Sequence, residues 1–321
     1  MFDATEHRRM NTSTALHSTP GTSDASRSAR ERGGQWLMVG GGLLLGTLGV
    51  FLEEAGQSPL TAVWFRCAFG GLALSVWFSA SRRWGEVRLA RRDALLAVAA
   101  GLSMVTSWVL FFEAITRTSM AVATLVVHVQ PFLVMAFGAW WLRERVSRRQ
   151  GWAAVAALLG LGLATGWLDG ALGAVSHSPQ YLTGIALALG AALAYAAAPL
   201  MVRSARGATP LALAWWQCVA GSVVLLWWPL SQGWPAPGPA WGWLAGMGVV
   251  HTGLAYVLLY AGVARLPAAR MAVLQFVYPA SAIAVDALVY GRVLSASQMV
   301  GVVVMLAALM VVGLERARSS G

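Results

Sequence analysis

Few side chains in this sequence can do chemistry, and they sit inside stretches that are otherwise apolar. His128, Gln130, His251, Gln275 and Tyr278 carry hydrogen-bonding groups near the middles of such stretches, and Asp286 carries a carboxylate toward the end of another. Groups of this kind bind and orient a ligand, and a carboxylate can titrate, but together they do not compose a catalytic set. There is no His-Glu-x-x-His, no cluster of metal-binding carboxylates, no glycine-rich phosphate loop before a strand and no Gly-x-Ser-x-Gly elbow. Cys67 and Cys218 lie far apart in apolar blocks and read as packing residues. No cofactor or metal is expected, no ATPase module is present to drive work in this chain, and an integral-membrane enzyme is the weaker of the readings that remain.

The elements that must position these residues are membrane helices. Of 321 residues, 58% are hydrophobic and 11% charged, which is no water-facing composition. Uncharged runs at 33–52, 94–112, 118–142 and 150–168 each fit one helix crossing about 30 Å of hydrocarbon at about 1.5 Å per residue. The long uncharged block 207–264 breaks around Pro229, Pro235, Pro237 and Pro239, and another breaks at Ser176-His177-Ser178-Pro179. Ten spans follow, near 36–53, 60–80, 93–114, 119–142, 150–168, 180–202, 210–230, 241–263, 269–290 and 297–314. All 23 basic residues are arginine, and with both termini in the cytoplasm all except Arg66, Arg117 and Arg292 fall in cytoplasmic segments. The net charge of +10 is therefore read as loops facing anionic lipid, and nucleic acid is not expected as a partner. Residues 1–34, rich in Ser, Thr, Arg and Gly, are expected to form a disordered cytoplasmic tail. Most tryptophans fall at span ends, where an amphipathic ring prefers the interface, and Trp108 is the exception. Gly42-x-x-x-Gly46 and Gly162-x-x-x-Gly166 read as packing signals.

Sliding the chain on itself by 148 residues superposes Pro131 on Pro279, Ser147 on Ser295 and Gln150 on Gln298. Two five-helix halves of this kind enter the membrane in opposite senses, as in transporters whose inverted repeats enclose a central site. A mid-helix proline frees the carbonyl four residues earlier, here of Val127 and Gln275, so the pair reads either as satisfied kinks or as a shared gate. Gln275, Pro279, Ala282 and Asp286 recur on one helical stripe with Tyr278 at its edge, and Thr124, His128, Pro131 and Met135 form a second. Trp108, aligned with Val105, Phe111 and Phe112, reads as an apolar wall or as ordinary packing. Arg66 is expected to pair with Glu53 or Glu54 or to snorkel outward, within an outer vestibule that also holds Glu113, Arg117 and Arg292. Asp286 is the candidate for proton-linked gating, and Glu144 for a structural ion pair within Arg143-Glu144-Arg145.

The stretch 118–147, with Pro131 and the ending Trp141-Leu142-Arg143-Glu144-Arg145-Val146-Ser147, resembles the first EamA repeat of the drug/metabolite transporter superfamily, and His251-Thr252-Gly253-Leu254-Ala255-Tyr256 through Pro279 to Gly291-Arg292-Val293-Leu294-Ser295 resembles the second. Arg66 matches a frequent family position, whereas Arg292 stands where the second repeat usually carries an acid. The resemblance implies an all-α polytopic membrane protein of ten transmembrane helices, as two inverted five-helix repeats at 35–169 and 180–315. It further implies a secondary transporter that exports small metabolites such as amino acids by alternating access. The corresponding expectation is a multi-pass protein of the bacterial inner (plasma) membrane whose partners are a small-molecule substrate and lipid, with the oligomeric state open. Trp108, His128, Gln130, His251, Gln275 and Tyr278 are the expected substrate contacts, and Arg66, Pro131, Pro279 and Asp286 the expected gating or coupling residues. A flippase for a lipid-linked carrier, with the same fold, is the alternative.

Overall fold

The computed structural model describes residues 20–166, 179–291 and 293–313, and among them every regular element is a helix. In chain order these are α1 (Pro20–Gly46), α2 (Leu48–Ala55), α3 (Pro59–Ala80), a short 3₁₀ turn, α4 (Arg91–Arg117), α5 (Met120–Val127), α6 (Gln130–Trp141), α7 (Arg148–Ala164) and α8 (Pro179–Ser204). They continue as α9 (Pro210–Val224), α10 (Trp227–Gln232), α11 (Ala240–Gly246), a π-helical stretch at Met247–Leu254, α12 (Ala255–Val263), α13 (Ala268–Leu274), α14 (Val277–Tyr290) and α15 (Ala296–Gly313). Joined across their breaks, the described residues give 8 helices long and apolar enough to cross a membrane, each of 20 to 30 residues. The chain is an all-helical, polytopic integral membrane protein. Ten spans were expected. Ala296–Val312 is a shorter apolar helix, and the 17 residues of α7 reach only about 26 Å at about 1.5 Å each, under the hydrocarbon thickness.

Local chemistry explains where helices start and stop. Ser58, Ser119 and Thr209 cap α3, α5 and α9 through side-chain oxygens that accept N–H groups of the first turn, and prolines open α3 and α9, where a missing N–H does no harm. Ser147 and Gln150 form a reciprocal capping box at α7, and Ser295 and Gln298 exchange the same two bonds at the start of α15. The serine and glutamine that recur at 148 residues are thus two copies of one helix start. Breaks fall at Thr47, at His128-Val129 and at Gln275-Phe276, the latter two in the turn before Pro131 and Pro279, where proline lacks the N–H that would continue the ladder.

Helix α1 begins at Pro20, so residues 20–34 are not the disordered tail expected of them. Arg27 and Glu31 pair one turn apart, and Glu31 reaches Arg270 at 2.8 Å, which ties this polar segment to the start of α13. Residues 1–19, the expected break at Ser176-His177-Ser178, Arg292, Arg316 and Arg318 lie outside the described residues.

Packing joins the two halves of the chain helix by helix. α4 lies along α8, α7 along α15, α3 against α9 and the π stretch, α1 against α12 and α14, and α6 against α13. Small residues set the distances. Cys67 of α3 rests on Gly221 of α9, and Cys218 of α9 rests on Gly70 of α3, so one Cys-x-x-Gly pattern is used reciprocally across the crossing. Gly160 and Gly301 bring the backbones of α7 and α15 together. The expected Gly162-x-x-x-Gly166 contact is not formed that way: Gly162 makes an ordinary contact with Leu125, and Gly166, at φ 70°, follows the end of α7. Gly42-x-x-x-Gly46 does pack closely, and a Cβ on Gly46 would stand 2.1 Å from Ser281 Oγ on α14, whereas one on Gly49 would meet nothing within 4 Å.

Gly46→Ala is therefore expected to lower stability by about 1–3 kcal/mol through overpacking, while Gly49→Ala, free of contact and a better helix former, is neutral or stabilising by about 1 kcal/mol. Thermal unfolding of the two detergent-solubilised variants in parallel checks this, and equal midpoints refute it.

Candidate functional site

A cavity of about 430 Å³ lies between the halves, walled by α1 to α8, α12, α14 and α15. It runs from the level of Gln130 and Gln275 toward the end of the bundle that holds α2 and Asp286. In the other direction a narrow gap of about 40 Å³ continues past Tyr195, Tyr256 and Gln275 to Met38, Pro199 and Val263.

The floor is built at the two helix breaks. Gln130, at the start of α6, donates from Nε2 to Oε1 of Gln275, at the break between α13 and α14, so the two interruptions are tied by one side-chain bond. Beside them, His128 bonds through Nδ1 to the Thr124 carbonyl at 2.7 Å, which directs that nitrogen's proton to the backbone. Its ring lies over Tyr278 at 6.5 Å and near Phe276 at 5.9 Å. The stripe Gln275, Pro279, Ala282 and Asp286 faces the cavity along its whole length, as its spacing predicts, and Tyr278 joins it.

Arg66 supplies the site's charge, and here the structure corrects the sequence reading. Instead of reaching toward Glu53 or Glu54, the side chain lies inside, 6% exposed, with its guanidinium 4.4 Å above the ring of Trp108 and Nε donating to Thr252 Oγ1 at 3.1 Å. Thr252 is on the π-helical stretch, whose wider turns carry it toward α3. Trp108 is held in turn by Tyr256, with ring centroids 6.0 Å apart. Withdrawing a guanidinium from water costs several kcal/mol. A cation–π contact offsets about 0.5–2 kcal/mol of that, and one hydrogen bond about 1.5–3. The two Nη groups have no hydrogen-bond partner among the described residues, and Arg66 is on the cavity wall.

Two expected site residues lie elsewhere. His251 is fully buried behind the wall, where Nε2 meets Thr47 Oγ1 at 2.7 Å and the ring meets Phe51 at 4.6 Å, so one of its two ring nitrogens is bonded at the break between α1 and α2. Pro131 and Met135 are buried in the α6 packing and do not line the cavity, because the break before Pro131 turns α6 relative to α5. Of the charges expected in an outer vestibule, Arg66 and Asp286 line the cavity, Glu113 pairs with Arg117 at 2.6 Å within α4, and Glu54 Oε1 accepts from Tyr290 Oη at 3.4 Å. Glu144 bonds outside its own cluster, to Arg203 of α8 at 2.5 Å and to the Ala268 N–H at 2.5 Å. Ser107, Tyr195 and Tyr256 line the cavity without having been singled out. The available signal was a phenol or hydroxyl at mid-span in an alanine-rich helix, which carries the same desolvation argument as the histidines.

Comparison with known proteins agrees with this architecture. The profile of the EamA-like transporter family matches residues 32–166 and again 182–314. An uncharacterized transporter, YxxF, of Bacillus subtilis (strain 168) is 27% identical over 272 residues, which is 83% of this chain and 84% of that one. Another uncharacterized transporter, from Archaeoglobus fulgidus, is 25% identical over 87% of this chain and 96% of its own. A crystal structure 19% identical in sequence superposes with a TM-score of 0.77 over 88% of this chain and 98% of that chain, a likeness of fold. The chain belongs to the EamA-like transporter family and is a membrane transporter.

Proposed function

We propose that this protein is a secondary transporter that exports small metabolites, such as amino acids, by alternating access in a bacterial inner membrane. Its parts in this reading are ten spans with both termini cytoplasmic, arranged as two inverted five-helix repeats at 35–169 and 180–315. The observation that carries the reading is the asymmetry of the cavity: wide toward the Asp286 end, and narrowed at the other end where two ion pairs bridge the halves. There Glu144 holds Arg203 and the first turn of α13, and Glu31 holds Arg270. A carrier seen with one door open and the other latched has this form. The inverted repeat draws support from the helix pairing across halves, from the paired capping boxes and from the reciprocal Cys-x-x-Gly crossing. Trp108, His128, Gln130, Gln275 and Tyr278 then contact substrate, Arg66 and Asp286 contribute charge, and the breaks before Pro131 and Pro279 act as hinges.

Three measurements bear on this. Cysteines placed at Arg82 and Arg206 should both label from the cytoplasmic face, and liposomes carrying the protein should accumulate some member of a labelled amino acid and metabolite panel; labelling from opposite faces ends the topology. Glu144→Gln removes a partly buried charge pair of about 1 kcal/mol, so a cysteine at Val263 in the narrow gap should label about five times faster; an unchanged rate argues against the latch. Proton-linked gating at Asp286 requires Asp286→Asn to flatten the pH dependence of flux, and equal transport by the two proteins across a pH series removes it.

A further inference from the structure

Resting on the transport reading just given, we infer that the cavity selects organic anions: small monocarboxylates with a flat apolar body, whose carboxylate is gripped by the two free Nη groups of Arg66. Among the described residues on the wall of the cavity, Arg66 is the one permanent cation, and it stands against Trp108, which in turn meets Tyr256. It is aimed. The face of the guanidinium is covered by Trp108 at 4.4 Å and Nε is committed to Thr252 at 3.1 Å, which leaves the Nη edge, the edge that receives a carboxylate in a bidentate pair, to the cavity. An arginine retained only for packing needs no such fixing, and an arginine paired within the protein would have its edge filled. The second half of the chain supplies a control. Trp64-Phe65-Arg66-Cys67 of α3 and Trp215-Trp216-Gln217-Cys218 of α9 occupy matching places at the crossing where each cysteine meets the other helix's glycine. Gln217 is 1% exposed and accepts from Tyr260 Oη, so the matching position is neutral and sealed, while Arg66 is charged and open. The body of the ligand is read from the walls: Trp108, Phe111, Phe112, Tyr256 and Tyr278 present rings around a volume of about 430 Å³, within the range for a small aromatic or branched molecule.

The test uses three probes with one body and three charges: phenylacetate, phenylacetamide and phenethylamine. Binding to the full-length protein in uncharged detergent is measured by titration and by ligand-induced thermal stabilisation, alongside uptake into phosphatidylcholine liposomes. The acid should bind at least about tenfold more tightly than the amide or the amine, the yield of one charge-assisted bidentate pair. Arg66→Gln should abolish that preference and Arg66→Lys should keep part of it, with both variants monodisperse on size exclusion. Thr252→Val, which frees Nε and leaves the charge, should weaken the acid preference without reversing it, and this keeps the inference testable if Arg66→Gln fails to fold. Equal binding of the three probes, no binding of the acid, or an unaltered preference in Arg66→Gln overturns the inference. Protection by inorganic phosphate or by phosphatidylglycerol in place of the carboxylate also overturns it, in favour of a lipid or phosphate site. A protein that binds the acid and moves no solute keeps the inference and loses the transport reading, so the two fail separately.

Discussion

Hydrocarbon offers no hydrogen bonds, so a chain that crosses it must satisfy every polar group from within or keep it at a wet surface. Several polar residues of the bundle meet that demand through at least one bond to another helix. Gln130 meets Gln275, Gln217 meets Tyr260, His251 meets Thr47, and Ser103 and Ser107 of α4 donate to the carbonyls of Ala194 and Ala191 on α8. Each of these bonds joins segments distant in sequence. Polarity in the spans therefore acts as cross-bracing between helices, and four of these five bonds run from one half of the chain to the other.

The same constraint shapes the two ends. The pair Arg270–Glu31 is nearly buried, with side chains 7% and 9% exposed, whereas Arg203–Glu144 is 20% exposed on both partners. Breaking a fully buried pair by removing one partner costs about 3–5 kcal/mol, against about 0–1 kcal/mol for an exposed one, and the partly buried Arg203–Glu144 pair lies between them. The Glu31 pair accordingly holds α1 to α13, and the Glu144 pair, with more of its surface open to water, is the weaker of the two ties. Glu144 also caps α13 through the Ala268 N–H, so one carboxylate ties both α8 and the helix that leads to Gln275.

How much of this was legible in the sequence depended on whether the property is local or tertiary. Helical phase is local, and so Gln275, Pro279, Ala282 and Asp286 were placed on one face by spacing alone and share the cavity wall. The breaks near Pro131 and Pro279 were legible for the same reason, since the missing N–H belongs to the residue itself. His251 was misjudged because polarity at mid-span states that a partner is required without naming it, and the partner is Thr47, some 204 residues away. Arg66 was assigned the wrong direction, because rotation of a helix about its axis is fixed by neighbours. Residues 20–34 look solvated by composition, but the polar run is helical because Glu31 finds Arg27 and Arg270. The α3–α9 correspondence escaped a comparison at 148 residues because it lies at 151: Trp64 matches Trp215, Cys67 matches Cys218 and Gly70 matches Gly221. Loops of unequal length shift the register from helix to helix, so no single offset reads the whole repeat.

That matching crossing also bears on how two helices packed through one shared pattern come to differ in chemistry. Two equivalent helices meet through cysteine and glycine, side chains small enough that neither copy needs to differ for the backbones to approach. One residue before each cysteine, the copies diverge: Arg66 in one, Gln217 in the other. The glutamine closes its side with a bond to Tyr260, and the arginine opens its side toward Trp108 and the cavity. Two arginines at that crossing would place like charges near each other in a region of low dielectric, where their repulsion is poorly screened. Two glutamines would leave no charge to bias a ligand. One member of this shared crossing thus carries a charge beside the cavity and its counterpart does not, while the cysteine–glycine contacts are alike on both helices.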